Sequence, residues 1–192
     1  MSDRDAFLRE LLESGATEEE AMELLAGAVA PAAPSAALRA RLLETIGRGG
    51  RLERFADAIA ALLDVTADRA RELLDGIDRA TSFSAGLFPG MEAFAFAGGP
   101  RVAGLVTGFI RMKPGTVFPE HLHVGRERVF VVSGRLRDSD GSLVGPGEEK
   151  VMEPGTSHSF TVLDGPDLVY LAVVETGIEI GGELIGPDDP RL

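Results

Sequence analysis

The sequence predicts an α+β protein, with a run of short helices over residues 1–80 and a small antiparallel β-barrel over residues 81–192. Three observations carry this expectation. Up to about residue 80 apolar residues recur at helical spacing and β-branched residues are sparse. Beyond it the apolar period shortens to two, and Gly and Pro punctuate the connections. In that second part lie the chain's 3 histidines, His121, His123 and His158, spaced so that neighbouring strands can bring them together with Glu127.

The helical elements follow from caps and apolar spacing. Ser2 caps a helix carrying Phe7, Leu8, Leu11 and Leu12, which Gly15 ends. Thr17 and Glu20 form a capping box that opens a second helix with Met22, Leu24 and Leu25. Pro31-Ala-Ala-Pro34 is a short stiff linker near residues 30–35, and Ser35 can cap a third helix carrying Leu38, Leu42, Leu43 and Ile46. That helix stops at Gly47 or at Gly49-Gly50. A fourth carries Leu52, Phe55, Ile59, Leu62 and Leu63, and a fifth, capped by Thr66, carries Ala70, Leu73, Leu74 and Ile77. Each is amphipathic and needs a surface to cover its apolar face.

The strands follow by alternation. Phe94 and Phe96 alternate with alanines, residues 102–112 read as one strand and residues 127–132 as another. Asp140-Gly141 is a hairpin signal, residues 168–174 form an unbroken apolar strand, and residues 178–184 are the last.

The histidines carry the chemistry. The stretch reads Gly115-x5-His121-x-His123-x3-Glu127-x6-Gly134, with Pro154-Gly155-x2-His158 further on. Residues 121 and 123 of a strand point to one face. Glu127 returns to that face if Val124-Gly125-Arg126 makes the bend to the next strand, and His158 opens a further strand after a Pro-Gly turn. Imidazoles and a carboxylate in this arrangement suit Zn, Mn, Fe, Ni or Cu. A single strand histidine is more often a hydrogen-bonded structural residue, but here two separate elements coincide and no histidine remains for another task. By parity, Val129 and Val131 share the face of Glu127 and Phe160 that of His158, with Met112, Phe118 and Met152 further candidates for a mostly apolar pocket. Arg128 should face away from that cavity, and Glu120 reads as a solvated loop residue.

Composition narrows the partners. The net charge of −12, acidic in both halves, disfavours nucleic acid or an anionic membrane. The absence of cysteine excludes disulfides and thiolate zinc sites. No signal-peptide pattern opens the chain and no apolar run approaches membrane length, so a cytoplasmic protein is expected.

These residues carry a resemblance to the cupin superfamily. Gly115 to Gly134 resembles the first cupin motif and Gly147 to His158 the second, with Pro154 and Gly155 adjacent where cupins usually separate them by one residue. The resemblance implies a jelly-roll β-barrel, a homodimer, and His121, His123, Glu127 and His158 as ligands of one divalent metal ion per chain. The layout is similar, more narrowly, to ChrR-type anti-sigma factors, whose zinc-bound cupin-like domain follows a helical domain that grips a sigma factor. The similarity is carried by Phe118-Pro-Glu-His-Leu-His-Val-Gly, Gly134-Arg-Leu-Arg-Asp-Ser-Asp-Gly, Gly145-Pro-Gly and, in the helical part, the Pro31 to Ile46 connector. It implies zinc ahead of Fe, Mn, Ni or Cu, and a regulatory protein with a sigma factor or another protein as partner and a small molecule as possible signal. One departure is that such factors usually carry a His and two Cys zinc motif in the N-terminal domain, which this chain lacks. The alternative is a metal-dependent enzyme, a dioxygenase acting on a small organic substrate, and a third reading makes the helices a cap that stabilises the barrel.

Overall fold

The computed structural model describes residues 35–39, 50–187 and 189. The chain divides into two compact units, Met1–Thr45 and Ile46–Leu192. In the first unit residues 36–39 are helical, and the Ser35 hydroxyl accepts the Leu38 amide at 3.1 Å, as a cap should. The helices expected over 2–15 and 17–25, the linker at 31–34 and the rest of the third helix lie outside the described residues.

The described part of the second unit opens with a 3-10 turn, Glu53–Phe55, and two helices, α1 (Ala56–Leu63) and α2 (Ala67–Gly76). Thr66 caps α2 as its position predicts, its hydroxyl accepting the Arg69 amide at 3.2 Å. Asp64 ends α1 in the left-handed region, at φ 55°. Its carboxylate accepts the Arg101 amide at 3.0 Å and guanidinium at 2.8 Å, which fixes an otherwise strained turn.

Twelve strands follow: β1 (Ser84–Ala85), β2 (Met91–Ala95), β3 (Val106–Met112), β4 (Val117–His123), β5 (Glu127–Ser133), β6 (Leu136–Asp138), β7 (Leu143–Val144), β8 (Glu149–Met152), β9 (Ser157–Val162), β10 (Leu168–Val174), β11 (Ile178–Ile180) and β12 (Glu183–Ile185). They form two 6-stranded sheets, β1-β2-β3-β10-β5-β8 and β12-β11-β4-β9-β6-β7, in which every pairing is antiparallel. The antiparallel β architecture expected after residue 80 is present, as two sheets with separate edges where the sequence pointed to one closed barrel. Two boundaries also differ. The strand expected from residue 102 starts at Val106, because Pro100–Val102 is a 3-10 turn. The last expected strand is a hairpin, β11 and β12, folded back at Gly181-Gly182 with positive φ at both residues.

The core has two layers. Between the sheets lie inward residues of both, among them Met112, Val131, Leu168 and Tyr170 from the first and Phe118, Leu136, Phe160 and Val162 from the second. The other face of the first sheet (Phe109, Phe130, Val132, Val169, Leu171 and Val173) packs against Leu52, Phe55, Ile59, Leu63, Leu73 and Leu74 of the helical segment. The first sheet is therefore covered on both sides, which explains why β10 is apolar throughout and buried at every residue. Ile59 and Leu63 are fully buried in this layer, at 0% exposure. Leu63→Ala should lower the free energy of unfolding by about 2–5 kcal/mol in urea titrations. A loss below about 1 kcal/mol would mean that the helices do not share the cooperative core of the sheets.

Candidate metal centre

Strand β4 supplies His121 and His123 on its inward face, and β9 supplies His158 directly across from His121. The three rings converge, with centroids 4.8 Å apart for His121 and His123, 4.6 Å for His121 and His158, and 5.0 Å for His123 and His158. One ligand atom from each ring lies within 4.8 Å of the others. Glu127 opens β5, and its Oε2 stands 3.1 Å from His123 Nδ1. The structure thus brings together all four residues singled out by spacing.

Strict alternation would put Phe118 on the opposite face from His121. A register shift between Phe118 and His121, at Pro119-Glu120, turns it inward, where it stacks on Phe160 at 5.1 Å and lies 4.7 Å from the His121 ring.

The hydrogen bonds determine which ring nitrogens remain free. His121 Nδ1 lies 2.9 Å from the Pro119 carbonyl oxygen. A carbonyl only accepts, so Nδ1 carries the proton and Nε2 keeps its lone pair. Burial pushes the His121 pKa from 6.5 down to about 4, the nearby His158 and His123 reinforcing this and the Pro119 carbonyl and Glu127 opposing it. His158 Nδ1 lies 2.6 Å from Asp138 Oδ2. Burial alone would raise the Asp138 pKa, but the hydrogen bonds from Lys150 and His158 outweigh it and hold the carboxyl below its usual range. His123 is different. It is 0% exposed, and although Glu127 Oε2 stands 3.1 Å from its Nδ1, both ring nitrogens are buried without a hydrogen-bond partner. An orphaned buried donor or acceptor costs about 1–3 kcal/mol, and a cation shared by the rings would remove that cost at the His123 nitrogen that carries the lone pair. Three imidazoles and a carboxylate fit a borderline divalent ion such as zinc.

A cavity of about 20 Å3 adjoins the rings, lined by Phe118, Val129, Met152 and Phe160 among the expected residues. Met112 and Val131 point inward as parity requires but are fully buried between the sheets, and they do not line this cavity. Asp138, Lys150, Tyr170, Leu136 and Val144 also line it and were not singled out from the sequence. Asp138 had a signal, since it shares the inward parity of Leu136 in β6, yet the run Asp-Ser-Asp-Gly reads as a turn. Lys150 reached the interior through β8, where it pairs with Asp138 Oδ2 at 2.7 Å. Burial, with the charge of Glu127, keeps the Tyr170 hydroxyl protonated well above the ordinary range. Arg128 faces away, paired with Glu149 at 2.7 Å, and Glu120 is exposed. Outside the cavity a wider vestibule of about 280 Å3 runs past Ser139, Asp140, Thr156 and Ser157.

Because His121 resists protonation when folded, the unfolded chain binds a proton that the folded chain does not between its ordinary pKa of 6.5 and about 4. Metal-free protein should therefore lose stability as pH falls through that window, by up to about 3 kcal/mol from this residue. Urea titrations with a chelator present would show this loss, and His121→Asn should flatten it; an identical pH slope in the variant would contradict it.

Among the described residues no helix is long and apolar enough to cross a membrane. Comparison with curated proteins finds no match. Among solved structures, the chain is similar to a cupin-fold protein of unknown function from Ralstonia eutropha, with 18% identity over 57% of this chain and 76% of that one and a TM-score of 0.48. It is similar to the anti-sigma ChrR in complex with SigE of Rhodobacter sphaeroides, with 17% identity over 80% of this chain and 74% of that one and a TM-score of 0.48. It is also similar to an acetylacetone dioxygenase from Acinetobacter johnsonii, with 16% identity over 56% of this chain and 81% of that one and a TM-score of 0.45. By sequence, residues 90–174 match the family model of the ChrR cupin-like domain. That stretch holds the three converging histidines and Glu127 beside them, and the chain accordingly resembles the cupin superfamily through the cupin-like domain of ChrR-type proteins.

Proposed function

We propose that the β-region from residue 81 onward is a cupin jelly roll holding one divalent ion, zinc first, through His121, His123, His158 and Glu127. The chain would then serve as a regulatory protein of the ChrR anti-sigma type. The single observation that supports holding a metal over transforming a substrate is the size of the cavity beside the rings. At about 20 Å3 it has room for one or two water molecules. Pockets for organic ligands typically run from about 300 Å3 upward. Of the charged groups on the cavity walls, Asp138 and Lys150 neutralise each other. A bound ion would supply a fixed positive charge satisfying His123 and tying β4, β5 and β9 together.

The helices of residues 56–76 already cover the first sheet, so the partner role falls to the residues before 46, and a sigma factor is the partner that the ChrR-type resemblance implies. The second reading, a metal-dependent dioxygenase, draws on the vestibule of about 280 Å3, which meets the site at Asp138, Lys150, Met152 and His158.

Protein purified without an affinity column should carry close to one zinc per chain by elemental mass spectrometry, and His123→Ala should carry none. Stripping the zinc should lower the melting temperature by roughly 5–10 °C, the effect expected when the ion is present at about a hundredfold above Kd. Redox-active iron with oxygen consumption would replace the regulator with the enzyme, and sigma-factor binding indifferent to zinc on gel filtration would remove the regulatory part.

A further inference from the structure

We infer that Asp138 is the positioning residue of the metal centre: its Oδ2 holds His158 in the Nδ1–H tautomer, so that Nε2 keeps its lone pair for the ion, and Lys150 locks the carboxylate in place. This rests on the metal reading above, and it adds a residue from outside the ligand set. Asp138 touches the far side of the ring and does not belong to the converging histidine cluster.

The geometry is that of a built network. The Asp138 side chain is 1% exposed, and one oxygen, Oδ2, takes both His158 Nδ1 at 2.6 Å and Lys150 Nζ at 2.7 Å. The other oxygen, Oδ1, accepts the Asp140 amide and the Ser139 hydroxyl, each at 3.3 Å. Lys150 is itself held by Asp140 Oδ2 at 2.9 Å and Ser142 Oγ at 3.0 Å. Every group facing Asp138 is therefore a donor, and only an acceptor at both oxygens satisfies them all. Lys150 comes from β8 in one sheet, while Asp138 and His158 come from β6 and β9 in the other. The network therefore pins the two sheets together across the cavity as it aims the ring.

Without this carboxylate His158 is free to adopt the other neutral tautomer, with its proton on the nitrogen that faces the cluster. Partners of this kind, hydrogen-bonded to the far nitrogen of a metal-binding histidine, typically change metal affinity 10–100-fold when removed. An Asp138→Asn side chain cannot reproduce the arrangement, because its NH2 must oppose a donor on one side or the other.

The first test needs no variant. In metal-free, 15N-labelled protein at mildly alkaline pH, long-range 1H–15N correlations should show His158 protonated at Nδ1 with a bare Nε2; the opposite tautomer overturns the inference. Zinc competition against a chelator should then show roughly 10–100-fold weaker binding in Asp138→Asn, together with loss of that His158 signature. Lys150→Met should keep the tautomer and lose less affinity. A merely structural Asp138 would lower stability in Asp138→Asn and leave both the zinc affinity of the folded protein and the His158 signals unchanged, which overturns the inference. Wild-type protein that takes up no zinc sinks the metal reading instead, and the tautomer measurement alone then judges the hold on His158.

Discussion

His123 is buried at 0% exposure with neither ring nitrogen hydrogen-bonded, and it shares its pocket with two further imidazoles whose outer nitrogens are already engaged. Unsatisfied polarity at that depth is costly, and a fold tolerates it where something outside the polypeptide completes the site. The surrounding features follow from this constraint. The Pro119 carbonyl and Asp138 accept hydrogen bonds from Nδ1 of His121 and His158, Glu127 places a carboxylate within reach, and Phe118, Val129 and Phe160 line the cavity beside the rings. Together they favour the rings as lone-pair donors, and the inner cavity beside them, about 20 Å3, takes an ion and its water.

The first sheet connects this centre to the rest of the second unit. Along β5, Glu127, Val129 and Val131 face the cavity and the core between the sheets, while Phe130 and Val132 face the helices. Along β10, Tyr170 and Ala172 face inward and Leu171 and Val173 outward. The same strands that carry Glu127 and Tyr170 thus seat α1 and α2. The strands meet the helical layer in close-packed contacts, among them the edge-to-face pair of Phe55 and Phe130 at 5.6 Å.

Much of this could be read from the residues in order. The two-residue spacing of His121 and His123 and the Pro-Gly turn before His158 were enough to bring the rings together, because strand alternation is a local rule. The caps at Ser35 and Thr66 were equally legible. What escaped depends on pairing between distant strands. Lys150 sits on β8, a short edge strand, and only its register against Val129 turns it toward Asp138. The surface covered by the helices was hidden for a similar reason. Its sign is that β5 and β10 are apolar on both faces, which marks a sheet covered twice and leaves the identity of the cover open. Alternation pointed Met112 and Val131 inward correctly but carries no information on depth, and both lie between the sheets away from the cavity.

The account depends most on the three imidazoles binding one ion together. X-ray absorption at the zinc K-edge of the loaded wild-type protein tests this directly, because imidazole rings leave a multiple-scattering signature that carboxylates and water do not. The account predicts a spectrum fitted by three imidazole nitrogens with oxygen completing the shell, and loss of one imidazole in His158→Ala. An oxygen-only shell, or a spectrum that His158→Ala leaves unchanged, would contradict it.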